Sequence, residues 1–187
     1  MTEHVEPEWA MATIAFVDIR GFTTYADRVS AHEAVDYLNR FFGLLIPIVT
    51  AHGGHANKLL GDGFLAVFGA PERSPDHAER ALVAAYGMVG AAEGGGYRIG
   101  IGINSGLVLV GTLGGGDLHE LGVVGDPVNV AARVQDATRE LGEPLLVTEA
   151  TRALLEGSSA TLEPRGALPL RGKPKPMAVY APARVRA

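Results

Sequence analysis

Hydrophobic and polar positions change period several times along the chain, and each change marks an element. Residues 12 to 17 (ATIAFV) form an apolar run of strand length that stops at Asp18 and meets Gly21. That is the pattern of a buried strand delivering a carboxylate into a loop. Ser30 followed by Glu33 has the form of a capping box, and Val35, Leu38, Phe42, Leu45 and Val49 then recur at spacings of three and four. A helix with one apolar stripe is expected there, bent or frayed near Pro47 and ended by Gly53-Gly54. Apolar residues flank Gly61-Asp62-Gly63 in NKLLGDGFLAVFG, which predicts a tight hairpin carrying Lys58 and Asp62.

Ser74-Pro75-Asp76 supplies a cap, a first-turn proline and an acid, opening a helix through Ala78, Leu82, Ala85 and Val89 toward a loop at Gly94-Gly95-Gly96. Ile99, Ile101 and Ile103 then alternate with Gly100 and Gly102, a strand buried through its isoleucines with something packed close over its glycines. Asn104-Ser105-Gly106 has turn composition and precedes LVLVGTL, so a hairpin is expected at 104–106. A glycine-rich loop at 114–116, a strand at 121–124 and a helix opening at Asp126-Pro127 follow. A strand at 144–147, a short helix from Glu149 and strands near 168–170 and 177–180 complete the chain. The order βαββαβ with additional C-terminal strands predicts an α+β fold, a ferredoxin-like sandwich.

Composition narrows the classes. With 187 residues, 47% of them hydrophobic, the chain can fill one core and is short for two ordinary domains. A single domain is expected over residues 11–187, behind a polar, flexible leader at 1–10 that contains Trp9. A net charge of −5 argues against a basic surface for nucleic acid or acidic lipid. The absence of cysteine excludes a disulfide framework and a thiolate zinc site, and fits a reducing cytoplasm. The acidic N-terminus is not a signal peptide, and no run of about 18 uninterrupted apolar residues predicts membrane insertion. The histidines lack zinc-ligand spacing, and no P-loop or dinucleotide fingerprint is present.

Two groups of polar residues carry candidate chemistry. Asp18 and Asp62 each end or turn an apolar strand, and in a βαββ unit the first strand can lie beside the hairpin, bringing both carboxylates to one edge. Two acids there suit a hard divalent cation that shares its shell with substrate phosphates. Taken alone, each is better accounted for as an ordinary turn aspartate. Asn129 and Arg133 lie four apart near a helix start and project from one face, a donor pair suited to a phosphate. Taken alone, they are better read as a surface Asn and an Arg paired elsewhere.

FVDIRGFT (16–23), NKLLGDGFLAVFG (57–69), GINSGLVLVG (102–111) and VVGDPVNVAARV (123–134) together resemble the successive signature segments of class III adenylyl and guanylyl cyclases, over roughly residues 11–182. The resemblance implies two divalent metal ions, Mg²⁺ or Mn²⁺, on Asp18, Asp62 and the backbone of Ile19, with Ile19, Phe22 and Thr23 near the phosphates. It implies that Asn129 orients the ribose and that Arg133 stabilises charge on the α-phosphoryl oxygens. Arg171, in LRGKPKP, falls where the family commonly has a triphosphate-binding lysine, with Lys173 a nearby substitute.

Lys58 matches the adenine-selecting lysine, where guanylyl cyclases usually place Glu, so the resemblance implies ATP as substrate. Gly122 falls where adenylyl cyclases carry Asp, Thr or Ser to accept from the adenine amino group. One lost hydrogen bond is worth about 0.5–1.5 kcal/mol, so weakened selectivity for ATP over GTP is expected. The resemblance further implies a head-to-tail homodimer with shared active sites, and leaves room for a regulatory domain outside this chain. A guanylyl or base-promiscuous cyclase and a non-catalytic nucleotide-binding or dimerisation module stay open as alternatives.

Overall fold

The computed structural model describes residues 5–115, 118–155, 157, 160–169 and 175–183. In chain order the elements are β1 (Glu8–Ile19), α1 (Phe22–Ala26), α2 (Ala31–Ala51), β2 (Gly54–Leu60), β3 (Gly63–Phe68), α3 (His77–Gly94), β4 (Ile99–Gly115), β5 (Leu118–Val124), α4 (Asp126–Glu140), β6 (Leu145–Thr148), α5 (Glu149–Ala153), β7 (Leu162–Leu168) and β8 (Met177–Pro182). They build one sheet in the order β2-β3-β1-β4-β6-β8-β7, with β5 folded back on β4. The segment β2-β3-β1-β4 is antiparallel throughout, which is the strand order of the expected ferredoxin-like unit. β6 then joins β4 in parallel, and β8 and β7 extend that edge.

Alternation along β1 divides the interior into layers. Ala15, Val17 and Ile19 point to one face and pack with Phe41, Leu45 and Val49 of α2 and Leu82, Ala85 and Met88 of α3. Ala10, Ala12 and Ile14 point to the other and pack with Leu65, Val67, Val108 and Ala131 of α4. Asp18 has the parity of the second face, so the carboxylate that ends β1 emerges on the side where α4 lies. α2 begins with the capping box expected from Ser30 and Glu33. It is long and apolar enough to cross a membrane by length and composition alone. Its Phe41, Leu45 and Val49 are fully buried, and Tyr37, Phe42, Leu44, Ile46 and Ile48 pack partly buried against the same core.

Four expectations are corrected. β1 begins at Glu8, with Trp9 opposite Leu109, so residues 8–10 of the expected leader are strand. The buried line of α2 is Phe41, Leu45 and Val49, whereas Val35 is exposed and Leu38 and Phe42 are only partly buried. Residues 104–106 form no hairpin. They run through the middle of the 17-residue β4, and Asn104 and Ser105 keep their polar side chains buried by hydrogen-bonding them. The hairpin between β4 and β5 comes later, after Gly115, and β7 ends at Leu168 where a strand was expected to begin.

Candidate active site

Antiparallel pairing of β1 with β3 sets Asp18 opposite Gly63, so Asp62, the residue before it in the β2–β3 turn, is brought to the end of β1. Gly61 opens that turn with φ of 69°. Gly63 is needed for a different reason. A Cβ there would fall on the Val17 carbonyl and 3.1 Å from Asp18 Oδ1, so a side chain would push the two acids apart. Burial, and next the charge of Asp62, push the Asp18 carboxyl up to about 6; Arg139 and Arg20 pull it back while Asp136 adds to the rise. Two acids pressed together at a cost to their charged forms are a donor set that a divalent cation fits. Among the described residues no cluster of three or more His, Cys, Asp or Glu forms. A cation here would therefore complete its shell from water and phosphate oxygens, as Mg²⁺ commonly does.

Lys58 reaches from β2 toward β5, where its Nζ lies 2.5 Å from Glu120 Oε1, with both side chains about half exposed. Beside it, Asn57 Nδ2 donates to the Leu121 carbonyl at 2.6 Å. Gly122 lies two residues beyond Glu120 on β5 and shares its face by strand alternation. A Cβ at Gly122 would overlap the side chain of Leu113, so the space that an acceptor at this position would need is filled. Lys58, Glu120 and Gly122 thus form one polar corner. Sequence reasoning missed Glu120, although its signal was there, an acid with the parity of Gly122 on the same strand.

α4 lies along β4, seated on glycines. Cβ atoms built at Gly106, Gly102 and Gly100 would strike Pro127, then Ala131 and Gln135, then Thr138. α4 therefore descends β4 from Gly106 to Gly100, positions that pair with Ala12 and Asp18 of β1. Six strand residues span about 20 Å, so Pro127, in the first turn of α4, stands over the middle of β1 and well along it from Asp18. Asn129 is exposed in that first turn, and Arg133 is exposed one turn farther along the helix. The α4 groups that act on Asp18 are Asp136 and Arg139, farther along the helix. With Asp18, Arg20, Gln135, Thr138 and Glu140 they line a cavity of about 220 Å³. Within one chain the structure brings Asp18 to Asp62 and sets Asn129 farther along β1, while Arg133, between the Ala131 and Gln135 that face Gly102, lies nearer, at the level of Phe16.

Arg20 was also missed, although it stands inside FVDIRGFT. Its Nη2 donates to the carbonyls of Thr138 at 2.9 Å and Glu143 at 2.6 Å, tying the last turn of α4 to the end of β1. Burial, and then Arg139 and Arg98, push its guanidinium below the usual arginine value. Ile19 is buried in the core with its side chain turned from the acids. Phe22 stacks on Tyr37 with centroids 6.2 Å apart, and Thr23 is exposed on α1. Arg171 and Lys173 lie outside the described residues.

Residues 5–181 match the model of the adenylate and guanylate cyclase catalytic domain. The chain belongs to that family. This cyclase domain is 36% identical over 172 residues to the uncharacterized protein Rv1320c of Mycobacterium tuberculosis, covering 90% of this chain and 30% of the relative. It therefore spans about a third of the length of the curated relative. Among solved structures it resembles the guanylate cyclase domain of RhGC from Catenaria anguillulae in complex with GTP, at 28% identity and a TM-score of 0.82, covering 92% of this chain and 96% of that one. It also resembles the catalytic core of a rhodopsin-guanylyl cyclase with converted specificity in complex with ATPαS, at 28% identity and a TM-score of 0.84, covering 98% and 100%. Cyclase domains of this type thus include ones seen with either purine nucleotide.

Proposed function

We propose that this cyclase domain converts ATP to 3′,5′-cyclic AMP and pyrophosphate at sites shared between two copies of the chain. The observation that carries the reading is the approach of Asp18 and Asp62 at the β1–β3 edge, where the two carboxylates would hold divalent cations, Mg²⁺ or Mn²⁺, together with a nucleoside triphosphate. Such ions, when bound, would acidify the ribose 3′-hydroxyl and neutralise the departing pyrophosphate. The chain's own residues supply the rest. Asn129 holds the ribose so that its 3′-oxygen lies in line with the α-phosphorus, and Arg133 meets the charge that grows on the α-phosphoryl oxygens. The 3′-hydroxyl gives its proton to solvent water, its oxygen bonds to the α-phosphorus, and the bond from that phosphorus to the α–β bridging oxygen breaks as pyrophosphate leaves.

Two observations support a head-to-tail homodimer. Asn129, in the first turn of α4, stands away along β1 from the acids of its own chain, which favours a second copy as the source of Asn129 and, on the same helix, Arg133. Large apolar side chains are exposed on the strands flanking the proposed site: Leu59 and Leu60 on β2, Leu107 and Leu113 on β4, and Val124 on β5. Exposed apolar groups of this kind mark association surfaces.

Lys58 supports ATP, because its ammonium can donate to adenine N1. The pairing of Lys58 with Glu120 favours a second reading, in which GTP is also used. Product analysis with ATP and with GTP, each with Mg²⁺ or Mn²⁺, tests both readings, with Asp62→Ala as control. Cyclic AMP lost in the control supports the proposal, and cyclic GMP at comparable rate supports the second reading. No cyclic product from a folded dimer would sink both in favour of a nucleotide-binding or dimerisation module.

A further inference from the structure

Asn104 is buried in the middle of β4, at a position with turn composition that the fold keeps as strand. Its amide orientation follows from its partners. The Thr151 backbone N–H donates to Thr148 Oγ1 at 3.3 Å, so the Thr148 hydroxyl hydrogen is free to go to Asn104 Oδ1, 2.8 Å away. Asn104 Nδ2 then donates to the Pro127 carbonyl at 3.0 Å, a group that can only accept. On the opposite face of the same strand, Ser105 Oγ joins Thr13 and Thr151, and Thr13 joins His77 Nδ1 at 2.7 Å. Among the described residues no buried side-chain polar atom lacks a partner, so this network is complete.

The bond to Pro127 is not needed to satisfy that carbonyl, because helix geometry already gives it the N–H four residues on. Its physical effect is directional. It fixes the first turn of α4 to β4 and, through Thr148, to the start of α5, while the Pro127 ring rests on Gly106. At the other end Arg20 ties the last turn of the same helix. We propose that Asn104 is a positioning residue, which sets the first turn of α4 so that Asn129, two residues after Pro127, is presented at a fixed height to the ribose. The role of Asn129 rests on the cyclase reading above; the tether itself does not.

The test uses the full chain with Asn104→Ala, the isosteric Asn104→Asp, Asn129→Ala, the double variant Asn104→Ala/Asn129→Ala, and Thr13→Val as a control. Thr13 belongs to the same buried network but does not touch α4. Misplacing a catalytic group by about 1 Å costs up to roughly 100-fold, so Asn104→Ala and Asn104→Asp are expected to lower kcat by about 10- to 100-fold with KM changed less than about twofold. The double variant should be no slower than Asn129→Ala, and Thr13→Val should keep its kcat at a comparable loss of Tm. Independent, multiplying losses in the double variant, or an equal kcat loss in Thr13→Val, would overturn the proposal. Should Asn104→Ala not fold, Thr148→Val releases the amide without touching α4 and should give the same split between kcat and KM. If the wild-type chain forms no cyclic product, the cyclase reading fails. The tether is then read by hydrogen exchange of the amides at 128–132, which should accelerate in Asn104→Asp and not in Thr13→Val; equal exchange in the two overturns it.

Discussion

The Lys58 ammonium and the Glu120 carboxylate meet at 2.5 Å across β2 and β5, on the strand face where Gly122 offers no side chain. A donor and an acceptor side by side suit the Watson–Crick edge of either purine. Adenine sets its N1 acceptor beside the N6 amino donor. Guanine sets its O6 acceptor beside two donors, N1–H and the 2-amino group, so a carboxylate gains one more hydrogen bond from guanine than from adenine. Glu120→Ala is therefore expected to lower kcat/KM for GTP about 3- to 10-fold more than for ATP, the scale of one hydrogen bond. Steady-state kinetics on the two nucleotides check it, and an equal change for both would remove Glu120 from base recognition.

Burial first, and then the charge of Asp62, raise the Asp18 carboxyl, so part of that rise is a cost of holding the two acids together in the metal-free fold. Asp62→Asn keeps the shape and removes that repulsion. The expected outcome is a split: cyclic nucleotide formation falls at least about 100-fold for want of a metal donor, while the Tm of the metal-free chain rises. A variant that loses both activity and Tm would show Asp62 to be a structural turn residue.

Much of this arrangement was legible in the sequence where one local pattern fixed one local structure. The Ser30–Glu33 capping box, the Gly61-Asp62 hairpin, and the alternation of Ile99, Ile101 and Ile103 with glycines each specify an element by short-range chemistry, and each is found. What stayed hidden depends on partners distant in sequence. Asn104 and Ser105 carry turn composition, yet Thr148, Pro127, Thr13 and Thr151 hydrogen-bond them as strand. Glu120 gains meaning only when β2 and β5 meet, and Arg20 only when α4 ends beside β1. The extension of β1 back to Glu8 likewise depends on β4, which pairs with Trp9 and Ala10 at Leu109 and Val108.

Gly102 and Gly90 offer a matched pair. A Cβ at Gly102 would run into the backbone of Gln135 and the Ala131 carbonyl of α4, and backbone cannot step aside as a flexible side chain can. Gly102→Ala should lift α4 and destabilise by about 1–3 kcal/mol or more. At Gly90, on α3, nothing lies within 4 Å of a built Cβ, and Ala there should stabilise by about 0.5–1 kcal/mol. Urea denaturation of the two variants checks both signs.

His77 is buried against Thr13, and burial pushes its imidazole below the usual value, with Asp76 opposing. The unfolded chain therefore binds this proton at higher pH than the folded chain does. Its contribution to stability is fully present above the unfolded value, about 6.5, and is lost as the pH falls from there through the lowered folded value. Acidification from pH 7.5 to 5.5 should lower the urea midpoint of the wild type more than that of His77→Gln. The comparison of the two chains cancels the opposite contribution of Asp18, whose raised value adds stability on acidification.

The distance along β1 between the acids and the first turn of α4 makes the strongest prediction about assembly. If each site takes Asp18 and Asp62 from one chain and Asn129 and Arg133 from another, then Asp62→Ala and Arg133→Ala are each inactive alone. In a mixed dimer both lesions fall in the same site, and the second site is wholly native. Equal mixing places half of the chains in such dimers, so roughly a quarter of the wild-type sites return. Specific activity of the mixture should rise from near zero toward that fraction, and should rise with total protein as dimers form. A site complete within one chain predicts the opposite, because each variant then carries its own lesion and mixing restores nothing.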